Sequence, residues 1–315
     1  MRGTAFRRSA YAGAQGTKLD IIPRLAIPPA RPRTPTIGGF RLTALIHRSE
    51  HTVLYRAASA KERIGPGCYV VKAAKKHGQS AVGASLLRRE AAVSADASGA
   101  HLAAVLLNQL SGSQPHLVLG YLEGTTLARA MRFREQTAEG ALQPLASCLA
   151  VARQIASALS ELHGAGWMHG QVRPQHILVS PRGFASLVDL SQTRRLESAE
   201  CEAGPVTTIA ARYAAPECFA RNGRLTAASD VYSLGVVLYE LLCGLLPFPG
   251  IDARQLGQGH RSMAAPDLRR ARPEASLEAA ELLRRMLAKE ALRRPSADEL
   301  VRWMTAIEIE ELANL

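Results

Sequence analysis

Three ionisable side chains stand where secondary structure could hold them around an anion or a metal ion. Lys72 ends an apolar run, Glu90 lies in a stretch of helical periodicity, and Asp189 directly follows another apolar run. An ammonium group donates to anions, while carboxylate oxygens accept from cations or bind hard metal ions. Taken singly, each residue is equally compatible with an exposed, solvated position, so the surrounding segments must decide.

A second polar group forms one short segment of the chain. It reads His169-Gly170-Gln171-Val172-Arg173-Pro174-Gln175-His176. The amide of Gln171 can orient a hydroxyl group by hydrogen bonding, but it cannot accept the hydroxyl proton at any useful pH. The neutral imidazole of His176 suits zinc and other transition metals better than Mg²⁺, which prefers oxygen ligands.

Hydrophobic periodicity divides the chain after residue 40 into a strand-rich part and a helix-rich part. Five strands are predicted, at 40–46, 53–57, 67–73, 102–107 and 116–121. A helix is predicted between the third and fourth strands, at about 81–95. From about residue 125 the pattern is mostly helical. Residues 231–242 are apolar almost all round, which predicts a helix inside a core. These patterns predict a mixed α+β chain with a small and a large lobe.

The order of the motifs resembles a protein kinase domain of the bacterial Ser/Thr (Hanks) type over roughly residues 40–315. Two segments resemble the strand and the helix of the small lobe, namely Tyr69-Val70-Val71-Lys72 and Leu87-Arg88-Arg89-Glu90-Ala91. Four later segments resemble D-F-G, A-P-E, the central helix and the late arginine motif, namely Asp189-Leu190-Ser191, Ala215-Pro216-Glu217, Ser229-Asp230-Val231-Tyr232-Ser233-Leu234-Gly235 and Arg294-Pro295-Ser296-Ala297. Several anchors in the right order are far more specific than any one alone.

The resemblance implies a bilobal fold with a five-stranded antiparallel N-lobe carrying one helix and a mainly helical C-lobe. The implied divisions are an N-lobe at 40–119, a hinge at 120–124 and a C-lobe at 125–315. Residues 1–39 would precede them as a flexible basic arm.

The resemblance also implies roles for individual residues. Lys72 and Glu90 would form the ion pair that presents the ammonium to nucleotide phosphates. Asp189 would bind a metal ion. Adenine would be bound by backbone groups of the last N-lobe strand and the hinge, at Leu119, Gly120, Tyr121 and Leu122. Glu217 would pair with Arg294, and Asp230 would cap either its own helix or the catalytic loop.

The chain departs from the family pattern where the chemistry takes place. Gln171 stands at the position of the catalytic aspartate, and His176 at that of the metal-binding asparagine. Arg173 keeps a positive charge at the position of the catalytic-loop lysine. The three glycine positions of the phosphate loop hold His47, Ser49 and Thr52 instead. Three further positions also differ from the family pattern and hold Gly170, Ser191 and Ala210. His47 and His51 could supply phosphate donors, or the segment could form a closed hairpin turn.

Three functions remain open from the sequence. The first is a pseudokinase, a regulatory or scaffolding module that binds protein and binds ATP and Mg²⁺ weakly or not at all. The second is an atypical Ser/Thr protein kinase of low activity, since phosphoryl transfer depends mostly on positioning and charge. The third is transfer of an adenylyl group. For a regulator, protein contacts are expected through the altered activation segment, about 189–217.

Composition limits the class of protein. The chain has 315 residues, of which 47% are hydrophobic and 21% charged, so it can bury a large core. No run reaches the roughly 18 apolar residues that a membrane span needs. The five cysteines form no CxxC pair and no apolar signal peptide is visible, so a cytoplasmic location is predicted.

The formal charge of +12 is concentrated in the predicted arm. Residues 1–39 hold only one acidic residue, Asp20, against seven basic ones, Arg2, Arg7, Arg8, Lys18, Arg24, Arg31 and Arg33. This composition predicts a solvated arm, with contact to an anionic lipid surface or an acidic partner as the alternative. A transit peptide is a weaker reading. Nucleic acid is not favoured, because the arm has only two aromatic residues, Phe6 and Tyr11, and no known binding motif.

Overall fold

The N-terminal part of the protein is a twisted antiparallel sheet with one helix on it. The computed structural model describes residues 34–61, 67–75, 80–136, 142–196 and 206–313. Within these residues the sheet has six strands, in the order β1-β2-β3-β4-β6-β5. Their bounds are Thr36–Ile37 (β1), Phe40–Arg48 (β2), Thr52–Ser59 (β3), Tyr69–Ala74 (β4), Val105–Gln109 (β5) and His116–Gly120 (β6). Helix α1, Ser80–Asp96, lies between β4 and β5 in the chain.

The sheet has one strand more than the five predicted. Thr36 and Ile37 pair with Arg41 and Phe40, and the side chain of Ile37 is buried. Gly38 and Gly39 between them both have positive φ, 55° and 81°, as a tight two-residue hairpin turn requires. The predicted arm of residues 1–39 therefore overlaps the sheet at its end. Its first 33 residues lie outside the described residues, and the lobe boundaries stay a prediction.

Alternation along the strands explains how the sheet is buried on two faces. One face packs a cluster that includes Leu42, Val71 and Val118, contributed by β2, β4 and β6. The opposite face packs Leu117 and Leu119 against Leu87 of α1, which is fully buried. Adjacent residues of β6 thus point to opposite sides of the sheet. Helix α1 is thereby fixed over the strand that carries Lys72.

The C-terminal part is mainly helical. Its helices are Leu127–Gln136 (α2), Leu145–Gly164 (α3), Thr208–Ala211 (α4), Ala227–Cys243 (α5), Ala253–Ser262 (α6), Leu268–Ala271 (α7), Leu277–Met286 (α8) and Ala297–Ala313 (α9). Short strand pairs frame the loops between them, from Thr125–Thr126 (β7), Trp167–Met168 (β8), Ile177–Val179 (β9), Ala185–Leu187 (β10) and Arg194–Arg195 (β11). The predicted α+β, bilobal fold is confirmed. None of the described helices is long and apolar enough to cross a membrane.

Helix α5 is the centre of this helical part, as its apolar sequence predicts. Thr226 and Ser229 form a reciprocal capping box that satisfies backbone N–H groups at its first turn. Most of its side chains are buried, and it packs between α3 on one side and α8 on the other. A helix with so little polar surface is stable only inside a core.

An aromatic cluster around His260 joins α5 and α6. The imidazole is buried beside the rings of Phe219, Tyr232 and Phe248. Its Nε2–H donates to the carbonyl of Arg212 (3.2 Å), so Nδ1 accepts from the hydroxyl of Tyr232 (2.9 Å). Burial, aided by the nearby charge of Lys289, lowers the pKa of His260 to about 4.

We expect His260 to make the protein less stable in mild acid. An unfolded histidine takes up a proton near pH 6.5, whereas this one stays neutral down to about pH 4. Its contribution is therefore complete above pH 6.5 and is lost as the pH falls toward 4, by about 2 kcal/mol at pH 5. Urea unfolding at pH 7 and pH 5 measures the loss. His260→Gln, which keeps one donor and one acceptor, should lose about 2 kcal/mol less; an equal loss in both proteins would contradict the assignment.

Candidate functional site

Lys72 and Glu90 form a buried ion pair between the sheet and α1. The Lys72 Nζ lies 2.6 Å from Glu90 Oε2, and both side chains are almost fully buried. Lys72 is on β4 and Glu90 on α1, so the pair requires α1 to be packed against the sheet. Burial alone would lower the pKa of Lys72, but the nearby carboxylates of Glu90 and Asp189 outweigh it and raise that pKa. The ammonium group is therefore charged at neutral pH.

Asp189 completes a cluster of three charges. Its Oδ1 accepts from Lys72 Nζ at 2.6 Å and from Ser191 Oγ at 2.7 Å. Its backbone is left-handed, with φ of 65°, a strained conformation for a residue with a side chain. Burial would raise the pKa of Asp189, yet the charge of Lys72 dominates and holds it below the ordinary range. The carboxylate is ionised, and a third of its side chain remains exposed.

The segment from residue 169 to 176 is held by its backbone. The carboxylate of Asp230 accepts from the amide of His169 (2.7 Å, Oδ2) and from the amide of Gly170 (2.7 Å, Oδ1). Gly170 has a φ of 72°, in the region where glycine carries no steric penalty. The sequence left open whether Asp230 caps its own helix or this loop. Since Thr226 and Ser229 cap the helix, the role of Asp230 is to fix the loop.

Within this loop, Arg173 and His176 contact each other. His176 Nδ1–H donates to the carbonyl of Gln171 (2.9 Å), so its Nε2 carries the lone pair. That lone pair accepts from Arg173, at 2.9 Å from Nη2 and 3.3 Å from Nε. Burial lowers the pKa of His176 to about 3, so the ring is neutral. Asp189 Oδ2 lies 3.6 Å from His176 Nε2, a contact between two acceptors.

The family pattern has two metal-ligand positions, held here by Asp189 and His176. Asp189 is suited to bind Mg²⁺ and His176 is not. Asp189 offers the carboxylate oxygen that Mg²⁺ prefers. His176 offers a nitrogen whose lone pair is already engaged by Arg173. Among the described residues, no group of three His, Cys, Asp or Glu side chains is arranged to hold a metal ion.

The turn between β2 and β3 includes Ser49 and is closed by Thr52, and both residues stand at positions that hold phosphate-binding glycines in the family. The amide of Ser49 donates to Thr52 O (3.0 Å), and the amide of Thr52 donates to Ser49 Oγ (3.0 Å). The carbonyl of His51 also accepts from the amide of Lys75 (3.0 Å). The turn is therefore closed by its own groups, and the amides of residues 49 and 52 are already used. His47 and His51 lie beside this turn, on β2 and in the turn itself.

The residues predicted to bind adenine lie at the end of β6 and just after it. Leu119 and Gly120 end the strand, and Leu119 is buried with Leu122 packed against the same cluster. The amide of Tyr121 donates to the carbonyl of Cys68 (2.9 Å), so it is not available to a ligand. The guanidinium of Arg56 lies 4.0 Å from the centre of the Tyr121 ring and holds the segment in place.

A cavity of about 350 Å³ lies beside the loop, toward the helical part. Gln171, Arg173 and Ala210 are among its lining residues, together with Arg194 and Tyr213. Glu217 and Arg294 form the predicted ion pair, with N–O distances of 2.8 and 2.9 Å. The predicted pairing of Glu217 with Arg294 is confirmed.

Two hydrogen bonds of the site were not predicted from the sequence. Ser191, noted only as a departure from glycine, donates to Asp189 and orients it. The contact between Arg173 and His176 was also missed, although their three-residue separation on a tight turn is compatible with it. A sequence pattern shows which residues share a loop, but the direction of their side chains depends on the surrounding packing.

Comparison with known proteins agrees with this geometry. The family model described as protein kinase domain matches residues 56–304. PknL, a serine/threonine-protein kinase of Mycobacterium tuberculosis, is 36% identical over 166 residues, which cover 53% of this chain and 40% of PknL. PrkC, a serine/threonine-protein kinase of Bacillus subtilis, is 30% identical over 179 residues, covering 57% of this chain and 26% of PrkC. The matches thus span less than half the length of these relatives.

A solved structure shows the same fold. The autoinhibited serine kinase domain of the giant muscle protein titin superposes with a TM-score of 0.69 at 21% identity, covering 86% of this chain and 81% of that domain. The sequence resemblance to bacterial Ser/Thr kinases is confirmed by the family model and by the relatives. The chain belongs to the protein kinase domain family.

Proposed function

We propose that this chain is a pseudokinase, a regulatory or scaffolding module that binds protein through a kinase fold and does not transfer phosphate efficiently. One observation carries the proposal. The catalytic loop presents Gln171, a neutral amide, where a proton acceptor is needed. Loss of a general base lowers the rate by about 10²–10⁴, or about 3–5 kcal/mol of barrier.

The two carboxylates that flank the loop are poor substitutes for the missing base. Asp189 is engaged by Lys72 and Ser191, and its pKa is held low, so it is a weak proton acceptor. Asp230 accepts from two backbone amides of the loop and also lies 3.0 Å from His163 Nε2. Moving either carboxylate toward a substrate would break the contacts that hold the loop together.

The closed turn over the phosphate position supports weak nucleotide binding. Backbone N–H groups of a glycine loop stabilise phosphates when they are free to donate. Here the amides of Ser49 and Thr52 donate within the turn instead. Any bound ATP would depend on Lys72 and on groups of the loop below.

A specific observation favours the alternative of a slow Ser/Thr protein kinase. Lys72, Glu90 and Asp189 are already assembled, with both Lys72 contacts at 2.6 Å. Phosphoryl transfer has a loose transition state and depends mainly on positioning and charge, so this cluster alone could sustain a low rate. The similar relatives PknL and PrkC are named as serine/threonine-protein kinases.

The partner of the proposed module is a protein. The altered activation segment, about 189–217, is expected to contact it, because the family uses this segment to contact protein substrates. Residues 197–205 of the segment lie outside the described part of the chain. The basic residues of 1–39 are expected to form a solvated arm, and contact with an anionic lipid surface or an acidic partner is the alternative.

Single-turnover labelling separates these functions. The protein is incubated with ATP labelled at the α or the γ phosphate, with and without a generic protein acceptor. We expect no γ label above that of Lys72→Ala and Asp189→Ala, because no base is present. Lys75→Ala is the matched control, since Lys75 follows the same strand but makes none of the cluster's contacts.

Each other result identifies a different function. Transfer of γ label that both substitutions abolish, and that Lys75→Ala retains, would identify a slow kinase and overturn the proposal. Transfer of α label would identify an adenylyl transferase. Melting curves of all variants show that the proteins compared are folded.

A further inference from the structure

A groove of about 500 Å³ lies between α7 and α8. The buried side chains of Leu268, Leu283 and Leu287 line it, and Leu277 at its edge is 65% exposed. None of its described lining residues belongs to the loop at 169–176 or to the Lys72 cluster. An apolar groove with a large exposed apolar side chain at its edge is stabilised when another apolar side chain covers it. We call it the α7–α8 groove.

Arginine side chains stand at the rim of the α7–α8 groove. Arg269 and Arg284 line it, and both are exposed. The guanidinium of Arg284 is paired with Glu281, with N–O distances of 2.6 and 2.7 Å. Within the described part of the chain Arg269 makes no ion pair, and the nearby carboxylate of Asp267 accepts from its backbone amide (3.0 Å). The guanidinium of Arg269 can therefore donate to a carboxylate of another molecule.

The last turns of α9 carry an exposed face that could enter such a groove. Thr305, Ala306, Ile309 and Glu310 are all exposed. Their spacing of three and four residues places them on one side of the helix. Ile309 is 61% exposed and stands between the smaller side chains of Thr305 and Ala306 and the end of the helix. These four residues, which we call the α9 face, offer one apolar anchor beside one carboxylate.

The carboxylate of Glu310 lacks a cation within its own copy. Glu308 pairs with Arg153 of α3 at 2.9 Å, but Glu310 makes no ion pair among the described residues. The last turn of α9 also contains no basic residue. A negative charge near a helix C-terminus is destabilising because it faces the negative end of the helix dipole. A cation brought to Glu310 by another molecule would offset this repulsion.

The two surfaces belong to segments of opposite charge. Residues 253–296, which contain the α7–α8 groove, have ten basic and five acidic side chains, whereas residues 297–315 have five acidic and one basic. Ile309 is exposed, so the α9 face does not fill the groove of its own copy. Each copy therefore carries both halves of a contact that it does not make with itself.

We propose that two copies of this chain associate by placing the α9 face of one copy in the α7–α8 groove of the other. Ile309 covers Leu277 and the apolar lining, and Glu310 accepts from the guanidinium of Arg269. Because each copy carries both surfaces, the contact can form twice about a two-fold axis and close a dimer. The inference goes beyond the proposed function and does not depend on whether the chain transfers phosphate.

Sedimentation velocity of the full chain measures the association. We expect a monomer–dimer equilibrium with a Kd of about 10 μM at low salt, as for a small interface. Ile309→Asp should weaken the association about tenfold or more, because the apolar anchor is replaced by a charge. Leu292→Asp is the matched control, since Leu292 is fully exposed and does not line the groove. It should associate as the wild type does.

A charge exchange tests whether the two surfaces meet each other. Glu310→Arg and Arg269→Glu each bring like charges together, and each should weaken the association about threefold to tenfold. The double variant restores opposite charges across the contact and should recover most of the wild-type affinity. Two independent structural effects would add instead of cancelling. Melting curves of all variants show that the proteins compared are folded.

Contrary results have distinct meanings. A chain that stays monomeric from about 1 to 100 μM would overturn the inference and leave the groove to a different partner. A dimer that Ile309→Asp leaves intact, or that Leu292→Asp weakens equally, would also overturn it, because the contact would then lie elsewhere. A double variant no tighter than the single ones would overturn the pairing of Glu310 with Arg269. None of these results bears on the proposed function, which is tested by transfer of label.

Discussion

Gln171→Asp combined with His176→Asn is expected to raise γ-phosphoryl transfer by about 10²–10⁴ over the wild-type chain. The first substitution returns a carboxylate that can accept the hydroxyl proton, and the second returns an oxygen ligand for Mg²⁺. The rest of the required cluster is in place, because Lys72 already contacts Glu90 and Asp189 at 2.6 Å. The backbone of the loop is held independently by Asp230, so the new side chains begin from a preformed loop.

The measurement is single-turnover transfer of γ label from ATP to a generic protein acceptor. Gln175→Asp is the matched control, since Gln175 is exposed in the same loop and receives the same added charge. It should stay at the wild-type level. If the double variant labels no more acceptor than Gln175→Asp does, the missing side chains are not what limits the chemistry. The closed turn at Ser49 and Thr52 would then be the next candidate.

Arg294→Met is expected to destabilise the protein by about 3–5 kcal/mol, because it leaves a largely buried carboxylate without its partner. The guanidinium of Arg294 is fully buried and donates to Glu217 at 2.8 and 2.9 Å. It also donates to the carbonyls of Ala228, Ala288 and Lys289. Methionine fills much of the same volume, so the lost charge and hydrogen bonds dominate the effect.

Urea unfolding of Arg294→Met and of a surface control measures this effect. Arg302→Met breaks an exposed ion pair with Asp298 on α9 and should cost less than about 1 kcal/mol. The pKa of Glu217 lies below its ordinary value: burial raises it, but the hydrogen bond and charge of Arg294 outweigh burial. A similar loss for both variants would show that the buried pair is no more important than a surface one.

Much of the fold follows from local patterns. Alternating strands, the nearly all-apolar α5 and the order of the motifs depend on residues close together in the chain. The sixth strand was missed because Gly38-Gly39 was assigned to the basic arm, although two glycines between Ile37 and Phe40 are a hairpin signal. A two-residue strand has too few side chains for alternation to be visible.

The site was predictable in its residues and not in its contacts. Motif order identified Lys72, Glu90 and Asp189, and the structure brings them together. The hydrogen bond from Arg173 to His176 depends on burial and on which nitrogen carries the proton, which no spacing rule records. The role of Asp230 likewise required the loop and α5 to be seen in contact.

The side-chain carboxylate of Asp230 holds the loop through the loop's main chain, by accepting hydrogen bonds from the amides of His169 and Gly170. Every amino acid except proline carries a backbone N–H, so these two hydrogen bonds do not depend on the side chains at 171, 173 and 176. Substitutions there can change reactivity while the loop backbone keeps its two hydrogen bonds to Asp230. In evolutionary terms, mutational paths between an enzyme and a scaffold can run through folded intermediates, in either direction, and selection for shape can persist after selection for turnover has ended.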